Sequence, residues 1–122
     1  GLSEQDLAIV GFSQGTMMAL HVGLRRKQPV AAIVGYSGML TGAAGLSREI
    51  ESKPPVLLIH GSADSVVPVS ALHAAETALK KLDVTVTTHV SSGLGHGVDP
   101  IGLKLGGEFV IKAFDRSCAD QA

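Results

Sequence analysis

This 122-residue chain has almost no net charge, few aromatic side chains and little cysteine. Ten Lys and Arg residues stand against eleven Asp and Glu residues, so the formal net charge is −1. A basic patch that could bind nucleic acid or an anionic membrane surface is therefore not expected. Aromatic residues make up 3% of the chain, too few for the stacking platforms that bind single-stranded nucleic acid.

Cysteine occurs once, at Cys118. A single cysteine excludes an internal disulfide and a zinc site built from several cysteines. The His, Asp and Glu residues show no metal-binding spacing either, and we expect neither a metal nor a cofactor. A single free thiol suits a reducing compartment, so the expected location is the cytoplasm.

Long uncharged segments are present, but turn residues interrupt them. Residues 7–24 and 28–47 carry no charged side chain, and each is about long enough to cross a bilayer. Glycine, serine and threonine lie in the middle of both segments, which favours buried strands joined to loops and no membrane span. No signal-peptide pattern begins at residue 1. That residue is Gly and not Met, which predicts that a further segment once preceded it.

Short apolar runs alternate with helix-period segments along the chain. The runs at residues 7–10, 30–34 and 56–59 are typical of parallel strands covered on both faces, whereas residues 84–90 alternate as an edge strand does. Helical spacing predicts helices at 16–28, at 70–82 and after the N-cap Asp99, with a short helix around 46–51 in an ambiguous region. This order predicts an α/β fold: a parallel sheet flanked by helices, in a single domain over residues 1–122.

The first strand runs into a helix through Gly11-Phe12-Ser13-Gln14-Gly15. This G-x-S-x-G pattern between a strand and a helix predicts a nucleophilic serine on a sharp turn. Glycine at both ends of the pattern is expected to let the crowded backbones approach without a Cβ clash. The N–H of Gln14 then serves as one donor of an oxyanion hole. Chance occurrence in a chain with 15 glycines is the alternative, and the flanking elements favour the nucleophile.

Two further polar residues follow the carboxyl ends of later strands. A nucleophilic serine needs a base, and the base needs an orienting carboxylate. Asp64 follows the third strand and His96 the fourth, in the order Ser, Asp, His. A turn-capping aspartate and a surface histidine are the alternatives for each residue alone, but their shared context favours a catalytic set. His60, which closes the third strand, is expected to brace the Asp64 loop rather than to bind metal.

Three segments together resemble the phospholipase/carboxylesterase family of α/β-hydrolases, which includes the acyl-protein thioesterases. They are residues 11–15, the pattern His60-Gly61-x-x-Asp64-x-x-Val67-Pro68, and Gly93-x-x-His96. The resemblance implies site residues with the following roles: nucleophile Ser13, orienting acid Asp64, base His96 and oxyanion-hole residue Gln14. It also implies an acyl pocket lined by five residues: Met39, Leu40, Val66, Val67 and Pro68.

The activity implied by this resemblance is hydrolysis of a small-molecule carboxylic ester through an acyl-enzyme. Lysophospholipids and acyl thioesters are further candidate substrates. One alternative is a catalytically incomplete fragment that acts only in folding or assembly. Another is a peptidase or a dienelactone-hydrolase-like member of the same superfamily; a cysteine nucleophile would favour the dienelactone type, whereas this chain has Ser13.

Family members are longer and have further strands before the serine, so the chain is expected to be the carboxyl-terminal half of an α/β-hydrolase fold. The strand from Leu7 to Val10 would then lack a partner on one side. An unpaired, uncharged apolar strand is a template for association. We therefore expect self-association or pairing with an amino-terminal half across this edge.

Overall fold

The computed structural model describes the backbone of residues 2–121 and the side chains of residues 2–116, so Gly1 and the side chain of Cys118 lie outside the described residues. Within this range, the strands are β1 (Ala8–Phe12), β2 (Ala32–Tyr36), β3 (Val56–Gly61) and β4 (Val86–Ser91). The helices are α1 (Gln14–Gly23), α2 (Ala43–Glu49), α3 (Ser70–Lys81) and α4 (Pro100–Gln121). A 3₁₀ turn at Glu4–Asp6 precedes β1.

The strands form one parallel sheet in the order β1-β2-β3-β4. β2 and β3 are buried along their whole length, as predicted, because helices cover both faces of an internal parallel strand. β4 is an edge strand with incomplete burial, also as predicted. β1 forms the opposite edge and pairs only with β2 among the described strands. The side chains of Val10 and Phe12 in this strand are exposed.

Helices pack on both faces of the sheet and produce two apolar layers. The layer formed with α1, α2 and α3 contains mostly aliphatic residues, among them Leu20, Leu24, Leu46, Leu72 and Leu79. The layer under α4 joins sheet residues to one side of that helix, through Val34, Tyr36, Leu57, Ile59, Leu105 and Phe109. No helix in the described part of the chain combines the length and apolar character that a membrane span requires.

The bounds of several elements differ from the predicted ones. β1 and β2 run on to Phe12 and Tyr36, because these two residues are still paired in register. α1 ends at Gly23 and not near residue 28. Gly23 packs against the sheet, where an added Cβ would meet the end of the Ile33 side chain, and glycine is a weak helix former. α2 begins at Ala43, earlier than the short helix predicted around 46–51.

α4 begins as predicted and continues through a pair of glycines. Gly102 N–H donates to Asp99 Oδ1 at 2.7 Å, which confirms the N-cap. A Cβ at Gly106 would collide with the Tyr36 hydroxyl, and that hydroxyl donates to the Gly102 carbonyl at 2.9 Å. Gly106 therefore costs helical propensity but lets α4 lie directly on β2.

Candidate active site

Ser13 lies in the tight turn between β1 and α1, at the carboxyl edge of the sheet. Its backbone has φ 56° and ψ −115°, a conformation that non-glycine residues rarely adopt. A Cβ at Gly11 would collide with the backbone of Gly15, whereas a Cβ at Gly15 would meet nothing within 4 Å among the described residues. The expectation that both glycines prevent a clash is therefore wrong for Gly15, because its Cβ direction is open. Gln14 begins α1, where a backbone N–H has no intrahelical partner.

Hydrogen bonds to β2 and β1 hold the serine turn. The Ser13 N–H donates to the carbonyl oxygen of Tyr36 at 2.8 Å. Thr16, whose exposed fraction is 2%, places its hydroxyl 2.8 Å from the same carbonyl and 3.0 Å from the carbonyl of Gly11. A hydroxyl has one proton, so the two carbonyls share one donor. Thr16 was not predicted as a site residue, although its place in the first turn of α1 was a usable signal.

The side chains of Ser13, His96 and Asp64 form a continuous series of hydrogen bonds. Ser13 Oγ lies 3.1 Å from His96 Nε2, and His96 Nδ1 lies 2.8 Å from Asp64 Oδ2. Both distances lie within hydrogen-bonding range. The structure thus brings together three residues that the sequence singled out, from loops after β1, β3 and β4. Such a series can pass the serine proton to the imidazole while a carboxylate faces the resulting imidazolium.

The Asp64 carboxyl is shielded from solvent but fully hydrogen-bonded. Its side chain is 0% exposed, and Oδ1 accepts the N–H groups of Val66 and Val67 at 2.9 and 2.8 Å. Burial raises the pKa of Asp64, but hydrogen bonds from His96, Val67 and Val66 outweigh it and lower the pKa below its ordinary value. Asp64 is therefore a carboxylate at neutral pH.

His60 supports the Asp64 loop from the end of β3. Its side chain is 1% exposed, and Nε2 lies 2.7 Å from the Val67 carbonyl oxygen and 3.4 Å from Asp64 Oδ2. A carbonyl oxygen only accepts, so Nε2 carries the proton. These contacts are those of the loop brace predicted from the sequence. Within the described residues, no group of three or more His, Cys, Asp or Glu side chains is arranged to hold a metal ion.

The loop that carries His96 is held by two residues from the ends of other strands. The ring of Phe12 lies 5.0 Å from the His96 ring, centroid to centroid, at an angle of 45°. Ser37 directly follows β2 and donates its hydroxyl to the Gly97 carbonyl at 3.0 Å. Neither Phe12 nor Ser37 was predicted as a site residue. Asp64 was predicted because it follows the carboxyl end of a strand. Phe12 and Ser37 also lie at the carboxyl ends of strands, so the same criterion could have identified them.

The five residues predicted for the acyl pocket differ widely in exposure. Val66 is 66% exposed beside the Asp64 carboxyl and Pro68 is also exposed, whereas Val67 is buried. Leu40 is half-buried against the α1–α3 layer, and Met39 lines a cavity of about 10 Å³. That volume holds about one water molecule and no acyl chain. The acyl pocket therefore stays a prediction.

Known proteins resemble the chain in both sequence and fold. A family model for phospholipase/carboxylesterase matches residues 1–113. The chain belongs to this family. The structure of esterase PE8 superposes with a TM-score of 0.89 and 44% identity, over 93% of this chain and 53% of that one. This likeness confirms the expected α/β-hydrolase fold.

Curated relatives of the phospholipase/carboxylesterase family are longer than this chain. Lysophospholipase-like protein 1 from Mus musculus is 31% identical over 112 residues, which cover 85% of this chain and 45% of that protein. Acyl-protein thioesterase 1 from Gibberella zeae is 28% identical over 105 residues, which cover 82% of this chain and 45% of that protein. The chain thus spans about half the length of the curated relatives it matches.

Replacing Asp64 with Asn is expected to lower stability most at neutral pH. A carboxyl whose folded-state pKa lies below its unfolded value of about 3.9 stabilises the fold above that pH, and this stabilisation is lost as the pH falls through the folded-state pKa. Near neutral pH, the Asp64→Asn variant should lose about 1–3 kcal/mol of unfolding free energy. Urea unfolding between about pH 7 and pH 3 measures the loss, which should shrink below about pH 4.

The matched control for this comparison is Asp115→Asn, because Asp115 is exposed on α4. This variant should unfold like the parent chain at every pH. A loss in the Asp64→Asn variant that is equally large at acidic and neutral pH would contradict the assignment of Asp64 as a hydrogen-bonded carboxylate.

Proposed function

We propose that this chain carries serine-hydrolase chemistry and cleaves carboxylic esters through Ser13, His96 and Asp64. The observation that supports this most strongly is the 3.1 Å separation of Ser13 Oγ and His96 Nε2, in a series of hydrogen bonds that ends on a buried carboxylate. The strained serine turn gives further support, because strained backbone is concentrated at functional sites.

The proposed reaction has two acyl-transfer steps. His96 Nε2 takes the Ser13 proton while Oγ attacks the ester carbonyl carbon, and Asp64 holds Nδ1–H and stabilises the imidazolium. The tetrahedral intermediate then expels the alcohol, which receives its proton from His96, and the acyl group stays on Ser13. Water gives a proton to His96 as it attacks the acyl-enzyme, and the acid leaves as the proton returns to Ser13.

Gln14 is the proposed oxyanion donor from this chain. Its N–H lies at the start of α1, where free N–H groups and the helix dipole favour negative charge. An oxyanion hole of this type uses two N–H donors, the second from a loop before the nucleophile. Loss of one donor costs about a hundred- to a thousand-fold in rate. We therefore expect the chain alone to be slower than its longer relatives.

The substrate class we propose is a small-molecule ester with an apolar acyl group, with lysophospholipids and acyl thioesters as alternatives. The names of the relatives, an esterase, a lysophospholipase-like protein and a thioesterase, support this range. The exposed Val66 beside Asp64 suits an apolar wall, and the same role is proposed for the other pocket residues, Met39, Leu40, Val67 and Pro68. We also propose that residues 1–122 are part of one hydrolase domain, in a cytoplasmic protein.

A fluorophosphonate probe should label Ser13 and no other serine, because phosphonylation requires an activated hydroxyl. The Ser13→Ala variant should lose all labelling, and His96→Ala should slow it by about a hundred- to ten-thousand-fold, the usual contribution of a general base. Peptide mapping by mass spectrometry locates the adduct.

The control variant for labelling is Ser92→Ala, because Ser92 is an exposed serine in the loop that carries His96. It should label at the parent rate. An adduct on Ser37 or Ser62, labelling that survives in Ser13→Ala, or a folded parent chain that does not react would each sink the proposal.

We further propose that the free edge of β1 binds a second polypeptide segment. Among the described strands β1 is paired on one side only. Apolar side chains of β1 and of the adjoining helix α1 are exposed: Val10 by 58%, Phe12 by 43%, Met18 by 60% and Val22 by 41%. β1 contains no charged residue or proline to discourage pairing. The occupant is a second copy of this chain or the other half of a family-length protein. The free edge of β1 also favours the alternative function, in which the chain is a catalytically incomplete fragment that acts only in folding or assembly.

If the free edge of β1 pairs with a second copy of this chain, analytical ultracentrifugation at micromolar concentration should show a species larger than a monomer. Val10→Lys should shift the population towards monomer, because a charge on a free edge opposes strand addition. Ile111→Lys is the control, since Ile111 is similarly exposed, by 62%, but lies on α4. A parent chain that sediments as a single monomer and unfolds cooperatively would rule out association with a second copy of this chain.

A further inference from the structure

The carboxyl end of β2 contacts both the turn that carries Ser13 and the loop that carries His96. The Tyr36 carbonyl accepts the Ser13 N–H at 2.8 Å, and the Ser37 hydroxyl donates to the Gly97 carbonyl at 3.0 Å. Because β3 lies between β2 and β4 in the sheet, the hydrogen bond from Ser37 reaches across the end of β3. Two consecutive residues thus link the serine turn and the histidine loop to one internal strand.

Ser37 is placed so that its hydroxyl has little freedom. Its exposed fraction is 1% and its φ is 52°, which is uncommon for a residue other than glycine. Its N–H donates to the Ile59 carbonyl at 2.9 Å, so the sheet fixes its backbone. A buried hydroxyl requires a hydrogen-bond partner, and the Gly97 carbonyl is that partner.

We propose that Ser37 is a positioning residue whose hydroxyl fixes the Gly97 carbonyl and so holds the His96 imidazole between Ser13 and Asp64. This inference rests on the proposed function, in which His96 is the base. The His96 side chain is 20% exposed, so packing encloses it only in part, and a hydrogen bond that holds the adjacent backbone contributes to its position. A misplacement of about 1 Å can cost about a hundred-fold in rate, which makes such an anchor consequential.

Two variants distinguish the effect of the Ser37 hydroxyl from the effect of its unusual backbone conformation. Ser37→Ala removes the hydroxyl and keeps a Cβ at positive φ, whereas Ser37→Gly removes the hydroxyl and tolerates that φ. Ser52→Ala is the matched control, because Ser52 is also buried and donates its hydroxyl to a backbone carbonyl, that of Gly23, at 3.4 Å. Ser52 precedes β3 and so lies away from the carboxyl ends of the strands.

The rate of Ser13 labelling is measured against fluorophosphonate concentration, which separates the maximal rate from the half-saturating concentration. Both Ser37 variants should lower the maximal rate by about ten- to a hundred-fold and leave the half-saturating concentration unchanged. Ser52→Ala should change neither. A parent-like maximal rate in both Ser37 variants overturns the inference, and so does a loss confined to Ser37→Ala, because the backbone and not the hydroxyl would then be responsible.

Amide hydrogen exchange over residues 93–98 tests the anchor without catalysis. If the folded parent chain is not labelled, the proposed function fails and this exchange decides the role of Ser37. Faster exchange confined to residues 93–98 in both Ser37 variants, and absent from Ser52→Ala, supports the anchor. Parent-like exchange in that loop overturns it.

Discussion

The carbonyl oxygen of Tyr36 accepts two hydrogen bonds, from the Ser13 N–H and from the Thr16 hydroxyl, both at 2.8 Å. The turn between them has a φ of 56° at Ser13, and strain of this kind costs about 1–3 kcal/mol. The hydrogen bond from the Ser13 N–H contributes about 1 kcal/mol net. The Thr16 hydroxyl, which the Tyr36 and Gly11 carbonyls share, contributes at most a similar amount, so the two together are of the same order as the strain. The internal strand β2 therefore holds Ser13 at the start of α1, with its side chain directed to His96.

The same end of β2 also organises the opposite face of the sheet. The hydroxyl of Tyr36 donates to Gly102 in α4 at 2.9 Å, across a contact that only glycine at position 106 permits. Burial raises the pKa of Tyr36, so the hydroxyl stays protonated and remains a donor. With Ser37 bonded to the Gly97 carbonyl, residues 36–37 connect the serine turn, the histidine loop and the helix layer under the sheet.

Residue type and order were enough to predict the parallel sheet and to single out Asp64 and His96, because the carboxyl ends of parallel strands meet at one edge. The positions of Thr16 and Ser37 near the carboxyl ends of strands were visible in the sequence, but the hydrogen bonds from their hydroxyls to Tyr36 and Gly97 were not, because these partners lie 20 and 60 residues away along the chain and depend on strand order and register. Gly15 was misjudged for a related reason, since a Cβ clash depends on which backbone faces the glycine. Contacts that depend on strand order and register cannot be recognised from a local sequence pattern.

The hydrogen bonds on both sides of His96 hold its imidazole in one orientation, with Nδ1–H donating to Asp64 and Nε2 accepting from Ser13. Long-range ¹H–¹⁵N spectra of chain with ¹⁵N-labelled histidine, recorded above about pH 8 where an ordinary histidine is neutral, identify which ring nitrogen carries the proton. We expect a single His96 tautomer protonated at Nδ1, and a changed tautomer balance in Asp64→Asn. A His96 ring protonated at Nε2, or a mixture of the two tautomers, would contradict this orientation.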